Sequence, residues 1–144
     1  VKNTQNVIEN ICKTVAKLHN GGVIHTHLHV RNIGVTRNGG IILFDVSRAK
    51  ISKDIMKTNV GPDITELTRS ITRLYSHAME STNLRKTTKK EINDFENYFL
   101  GKLLYHTLIK LGTINISWKT FVKRASKSFS KYKKMVYRPE RLEQ

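Results

Sequence analysis

A tight hairpin turn in the first third of the chain constrains the fold more than any other sequence feature. Asn38-Gly39 is the strongest short-range signal for a β-hairpin, because a two-residue type I′ turn needs positive φ at both central residues. The residues around it, from about 33 to 44, are short β-branched runs that favour strands. In this register Asn32 faces Asp45 just beyond the hairpin, with Cβ atoms within about 5 Å of each other.

Three histidines at alternate positions precede the hairpin, and the residues alone leave two kinds of metal site open. Asn32 and Asp45 would offer a carboxamide and a carboxylate oxygen, which are ligands that Mg²⁺ accepts. Alternatively, a strand from Ile24 to Val30 would place the three imidazoles on one face, as in the catalytic Zn²⁺ site of a metallohydrolase. These histidines are His25, His27 and His29, and the further ligands available to them are Asp45, Asp54, Asp63, His77 and His106.

The run His25-x-x-Leu28-x-x-x-Asn32, followed by strand, turn, strand and Asp45, resembles two segments of the protein kinase-like superfamily. In that superfamily the catalytic loop reads H-R-D-L-x-x-x-N and the strand pair after it ends in D-F-G. The resemblance implies that His25 is the structural histidine of the loop and that Asn32 and Asp45 hold Mg²⁺. It places His27 where the family has its catalytic Asp, which accepts the proton of the substrate hydroxyl.

The histidine at the catalytic position leaves two functions open. A neutral imidazole can accept a proton near pH 7, so an active phosphotransferase using ATP and Mg²⁺ is one interpretation. The loss of an oriented anion beside Mg²⁺ favours the other, an inactive pseudokinase that needs no cofactor. Thr26 in place of the family's Arg and Val46-Ser47 in place of Phe-Gly are milder departures. The phosphoryl acceptor is left open.

The segment between Asp45 and Asp63 is too short for a full activation segment and contains no A-P-E motif. It points to compact relatives, and the runs 44–49 and 63–70 look most like the lipopolysaccharide-kinase branch. The G-x-G-x-x-G loop and the strand Lys of an N-terminal lobe have no counterpart in these residues. We therefore expect residues 1–144 to form a single kinase-like C-terminal lobe, completed by an N-terminal lobe or a partner chain.

Apolar periodicity predicts an α+β fold that is mostly helical, with one short hairpin and four main helices. The first predicted helix ends at Leu18-His19, where Asn20-Gly21-Gly22 supplies the residues that end a helix. The second runs from about Asp63 to Met79, the third from about Thr88 to Leu111, and the fourth begins at Ser117, while residues 50–62 read as a loop. Asp63 has two interpretations: it caps its helix as a capping box with Glu66, or, as the resemblance implies, it binds the backbone of the catalytic loop.

Charge and cysteine content limit the partners and the compartment. The net charge is +15, and residues 119–144 form a basic C-terminal segment, which favours a phosphate-rich partner. A non-catalytic basic module that binds nucleic acid or an anionic membrane is therefore an alternative function. A single Cys12 excludes an internal disulfide, and the chain has neither an apolar run of about 18 residues nor a signal-peptide pattern. These features suit a cytoplasmic or otherwise intracellular, reducing location without a transmembrane segment.

Overall fold

The computed structural model describes residues 2–52 and 59–137. The protein is α+β and mostly helical, as predicted. Its elements are α1 (Lys2–Asn20), β1 (Val23–Ile24), β2 (Ile33–Val35), β3 (Ile41–Leu43), β4 (Lys50–Ile51), α2 (Gly61–Asn83), α3 (Lys89–Lys110), α4 (Trp118–Arg124) and α5 (Ser126–Val136).

One hydrophobic core joins four of the helices and the loop that follows β1. In α1, apolar residues recur three or four positions apart, which places them on one face of the helix, and that face packs against α3. Burying each large apolar side chain contributes about 1.5–3 kcal/mol. The residues with almost no exposed surface include Cys12 and Val15 of α1, Leu28 of the loop, Leu67 of α2, and Phe99, Leu100 and Leu103 of α3.

Two helices differ from the sequence prediction at their ends. Helix α2 begins at Gly61 and has Pro62 in its first turn, where a missing backbone N–H leaves no hydrogen bond unmade. The predicted capping box is therefore wrong, because Asp63 lies inside the helix and makes no cap hydrogen bond. The predicted fourth helix is interrupted at Ala125, where φ is −102° and ψ is 11°. This break divides it into α4 and α5, so the described residues contain five α-helices.

The hairpin is present, but its register differs by one residue from the prediction. The pairs are Ile33 with Leu43, Gly34 with Ile42 and Val35 with Ile41. In the turn, Thr36 N donates to Gly40 O (2.9 Å) and Gly39 N donates to Thr36 O (3.0 Å).

Only Gly39 in this turn has a positive φ, of 85°. The loop is therefore a three-residue turn closed by a bulge at Gly39 rather than a two-residue type I′ turn. As a result Asn32 pairs with Phe44, whose N donates to Asn32 O at 2.7 Å, and the predicted pairing of Asn32 with Asp45 is wrong.

A second, unpredicted antiparallel pair joins β1 to β4, with Val23 opposite Ile51 and Ile24 opposite Lys50. Gly22 permits this pairing because its φ is +81° and a Cβ there would collide with the Ser52 carbonyl oxygen. The predicted loop at 50–62 thus begins as a strand, and its residues 53–58 lie outside the described part of the chain. This pair returns the chain after Asp45 to the side of the three histidines.

The basic C-terminal segment is described as far as Tyr137, and its residues 138–144 lie outside the description. Among the helices of the described ranges, none combines the length and the apolar character needed to cross a membrane.

Candidate active site

The three histidines lie in an irregular loop, which we call the histidine loop (His25 to Asn32), and not in a strand. The loop leaves β1 and ends in a 3₁₀ turn over Val30–Asn32. His25 is 1% exposed, and both of its ring nitrogens are used. Its Nε2 donates to the carbonyl oxygen of Phe44 (2.7 Å), and its Nδ1 accepts from His27 N (3.1 Å). His25 therefore connects the start of the loop to the residue that follows β3 by a hydrogen bond.

Asp63 of α2 lies beneath the histidine loop and holds its first two residues. One carboxylate oxygen accepts from His25 N (2.7 Å) and from His19 Nε2 (2.9 Å), and the other accepts from Thr26 N (2.8 Å). Burial alone would raise the pKa of Asp63, but the bonds from His19 and from the two backbone N–H groups outweigh it and lower that pKa. Asp63 contacts the loop rather than capping its own helix.

Two non-glycine residues in this region have left-handed backbone conformations. Thr26 has φ of 74° and Asp45 has φ of 58°. Such conformations cost about 1 kcal/mol or more and persist where surrounding contacts fix them. The bonds that His25 N and Thr26 N donate to Asp63 provide such a constraint at Thr26. The loop is thus held in one shape by contacts from α2.

Asn32 and Asp45 end up on neighbouring chain segments with oxygens available to a cation. Asn32 Nδ2 donates to His27 O (2.8 Å), which leaves its Oδ1 free of that contact. Asp45 is exposed, follows the residue that pairs with Asn32, and accepts from Ser47 Oγ at 3.4 Å. A carboxamide and a carboxylate oxygen suit Mg²⁺, which takes few protein ligands and fills its other positions with phosphate oxygens and water.

His27 is bound by a side chain that sequence reasoning did not assign to the site. Arg48 Nη1 lies 3.0 Å from His27 Nε2, and Arg48 O accepts from Thr26 Oγ1 at 3.2 Å. A guanidinium only donates, so Nε2 is the acceptor and the neutral ring carries its proton on Nδ1. Arg48 lies next to His27 because the β1–β4 pair brings their two chain segments together. In the sequence, the short distance between Asp45 and Arg48 is the one signal that could have indicated this contact.

The third histidine has a local role in the backbone. His29 Nδ1 accepts from Arg31 N (3.1 Å) and caps the 3₁₀ turn. Burial, together with Arg31 and Arg73, lowers the pKa of His29, while Glu66 partly opposes them. Within residues 2–52 and 59–137 no three His, Cys, Asp or Glu side chains are grouped to hold a metal ion.

The described residues therefore give no support to a three-histidine zinc site. Two of its candidate ligands, His77 and His106, lie on separate helices, and Asp54 falls outside the description.

A mostly helical fold whose buried Asp holds a His-x-x-Leu-x-x-x-Asn loop, followed by a hairpin that leads into Asp45, defines a protein kinase-like protein. The sequence matches the model of the lipopolysaccharide kinase (Kdo/WaaP) family over residues 1–99, and the chain belongs to that family. No curated protein and no solved structure matches the chain. The family match includes both strand pairs and the whole of α2, and it ends within α3, before α4 and α5.

Proposed function

We propose that this chain is a kinase-like phosphotransferase domain that retains a Mg²⁺-nucleotide site but has lost most of its turnover, and is therefore a pseudokinase. The carrying observation is that the loop keeps a kinase-like framework while the lone pair of His27 is engaged by Arg48. Membership of a kinase family supports the phosphotransferase class. ATP and Mg²⁺ are the cofactors that this class implies.

The residues proposed to face Mg²⁺ are Asn32 and Asp45. Held by these two residues, Mg²⁺ would supply the positive charge that neutralises the negative charge developing during phosphoryl transfer. Asn32 is oriented for this role because its Nδ2 is anchored on the His27 carbonyl, which directs the amide and leaves Oδ1 to bind. Asp45 has an exposed carboxylate on a backbone fixed next to the paired Phe44.

His27 explains the proposed loss of turnover. A catalytic Asp brings a negative charge and two acceptor oxygens to the substrate hydroxyl, and both are absent from a neutral imidazole. The one acceptor on this ring, Nε2, is already bonded to Arg48 at 3.0 Å. Proton transfer to His27 therefore requires Arg48 to leave, which adds a step that a carboxylate does not need.

The test is the substitution His27→Asp in the longest natural chain that contains these residues. We expect the wild type to bind a Mg²⁺-nucleotide with little turnover, and His27→Asp to raise ATP consumption by about 10²-fold or more, the usual contribution of a general base. Nucleotide binding is measured by calorimetry with and without Mg²⁺, and turnover by ADP release. Asp45→Asn should remove the Mg²⁺ dependence of binding in both backgrounds.

The matched control is His29→Asp, which adds the same carboxylate two residues further along the loop. It should leave turnover low, because residue 29 does not lie at the position of the catalytic Asp and its side chain caps the 3₁₀ turn by accepting from Arg31 N. If His27→Asp stays inert while Mg²⁺-nucleotide binding is intact, the placement of His27 at the base position is wrong. If the wild type turns over ATP at a rate that His27→Asp does not improve, the pseudokinase proposal is wrong.

A further inference from the structure

Helices α4 and α5 concentrate positive charge outside the region that matches the kinase family. They contain seven of the 26 Lys and Arg residues of the chain and none of its 11 acidic residues. Six of the seven are exposed, and we call them the basic face: Lys119, Lys123 and Arg124 of α4, and Lys127, Lys131 and Lys134 of α5.

The apolar side of α5, which lies opposite its lysines, fixes the orientation of the helix. Phe129, Tyr132 and Val136 pack against the hydrophobic core, so the residues between them point outwards. Lys127, Lys131 and Lys134 are four and three positions apart and therefore lie along one stripe of the helix. The positive charge therefore lies in a row along one side of α5.

Acidic side chains do not neutralise four lysines of the basic face. Within the described ranges, no ion pair involves Lys119, Lys123, Lys127 or Lys131. Lys133, which lies beside the row, donates to the neutral amide oxygen of Asn97 at 2.8 Å. Like charges held this close repel each other, and an anionic partner would relieve that repulsion.

The side chains next to the lysines favour a lipid surface over nucleic acid. Val122 is 54% and Met135 is 67% exposed, and such apolar side chains can enter the boundary between headgroups and acyl chains. Aromatic rings, on which bases would stack, are not presented: Trp118 and Phe121 pack with Tyr98 and Tyr105, and no aromatic residue between 117 and 137 is exposed.

We propose that the basic face docks on the surface of an anionic lipid bilayer, with Val122 and Met135 reaching the headgroup boundary. Lysines supply long-range attraction to anionic headgroups, and two apolar side chains add a contribution that salt does not screen. The helices lie on the membrane and do not span it. This docking does not rest on the proposed kinase chemistry, since it uses residues outside the family match.

The test is sedimentation of the whole chain with vesicles of phosphatidylcholine alone or mixed with phosphatidylglycerol. We expect binding only to the mixed vesicles, with a steep loss as salt is raised. The triple variant Lys123→Glu/Lys127→Glu/Lys131→Glu should weaken binding by about 10²-fold or more, because each lysine near an anionic surface contributes roughly a fivefold step. Met135→Ser should reduce the binding that persists at high salt.

The matched control is Lys13→Glu/Lys86→Glu/Lys89→Glu, which changes the net charge equally at exposed positions on α1, α3 and the segment before α3. It should keep most of the binding, and circular dichroism establishes that both triple variants fold. The proposal is overturned if the control loses as much binding as the test variant, or if the wild type does not distinguish the two vesicles. Tighter binding to DNA or RNA oligonucleotides of equal phosphate concentration would also overturn it.

Discussion

At the scale of single residues, the site depends on side chains that shape backbone rather than on side chains that react. His25, Asn32 and Asp63 each bind a main-chain group of the histidine loop or of the residue before Asp45. The motif made the first two recognisable in the sequence, because their types and spacing are local. Arg48 was missed because its contact with His27 depends on a strand pair that closes over a distance in the chain.

Asp63→Asn should destabilise the protein, because the new amide group cannot accept from the N–H of both His25 and Thr26. Leaving a buried donor unpaired beside the loop should lower the free energy of unfolding by about 2–3 kcal/mol, measured by urea denaturation at neutral pH. Asp94→Asn is the matched control, since that carboxylate forms an exposed pair with Lys90 and holds no loop. Equal stability of the two variants would contradict the role of Asp63.

The stabilisation that Asp63 provides should depend on pH. Folding lowers the pKa of Asp63, so its stabilising contribution is complete above the unfolded value of about 3.9 and is lost as the pH falls towards the lower folded value. The stability difference between wild type and Asp63→Asn should therefore shrink below about pH 4. A difference that grows on acidification would mean that the pKa of Asp63 is raised by folding.

At the scale of elements, the sequence predicts what is encoded locally. The helices follow from apolar spacing and from caps such as Thr88, and the hairpin follows from the glycine turn. The register of the hairpin does not follow from the sequence, because Asn38-Gly39-Gly40 is equally compatible with a type I′ turn and with a bulged turn. The bulged turn is favoured here by Thr36 Oγ1, which accepts from Gly40 N, and by Asn10 Nδ2 on α1, which donates to Gly39 O at 2.8 Å. The β1–β4 pair could not be predicted, because strands of two residues are too short to show an alternating apolar pattern.

Thr88→Ala should remove the N-cap of α3. Thr88 Oγ1 accepts from Glu91 N (3.1 Å), and a Glu91 carboxylate oxygen accepts from Thr88 N (3.1 Å), so both halves of a capping box are present. Arg85 and these bonds to Thr88 lower the pKa of Glu91 to about 2. We expect the free energy of unfolding to fall by about 1 kcal/mol and the melting temperature by about 3 °C.

The control for the cap is Ser128→Ala on the exposed side of α5, which should leave the melting temperature nearly unchanged. A similar melting temperature for Thr88→Ala and the wild type would show that α3 does not depend on this cap.

At the scale of the whole molecule, one core connects the parts that carry the candidate site. Cys12 and Val15 of α1, Leu28 of the histidine loop and Ile64 of α2 belong to the same buried cluster. The shape of the loop is therefore coupled to the packing of α1 and α2 within this cluster. The basic face is exposed and lies outside the family match, which is consistent with a role separate from the kinase-like region.

Cys12 reports whether that core opens as a single unit. Its side chain has no exposed surface, and burial raises the pKa of the thiol far above its ordinary value, so it should react with a thiol reagent only after opening. Labelling of the native protein should be at least about 10³-fold slower than in urea. Ile64→Val, on a different helix, should lower stability by about 1 kcal/mol and so speed labelling about fivefold, whereas Asp94→Asn should not. If Ile64→Val left the labelling rate of Cys12 unchanged, α1 would open without α2, and the inference of a single cooperative core would be wrong.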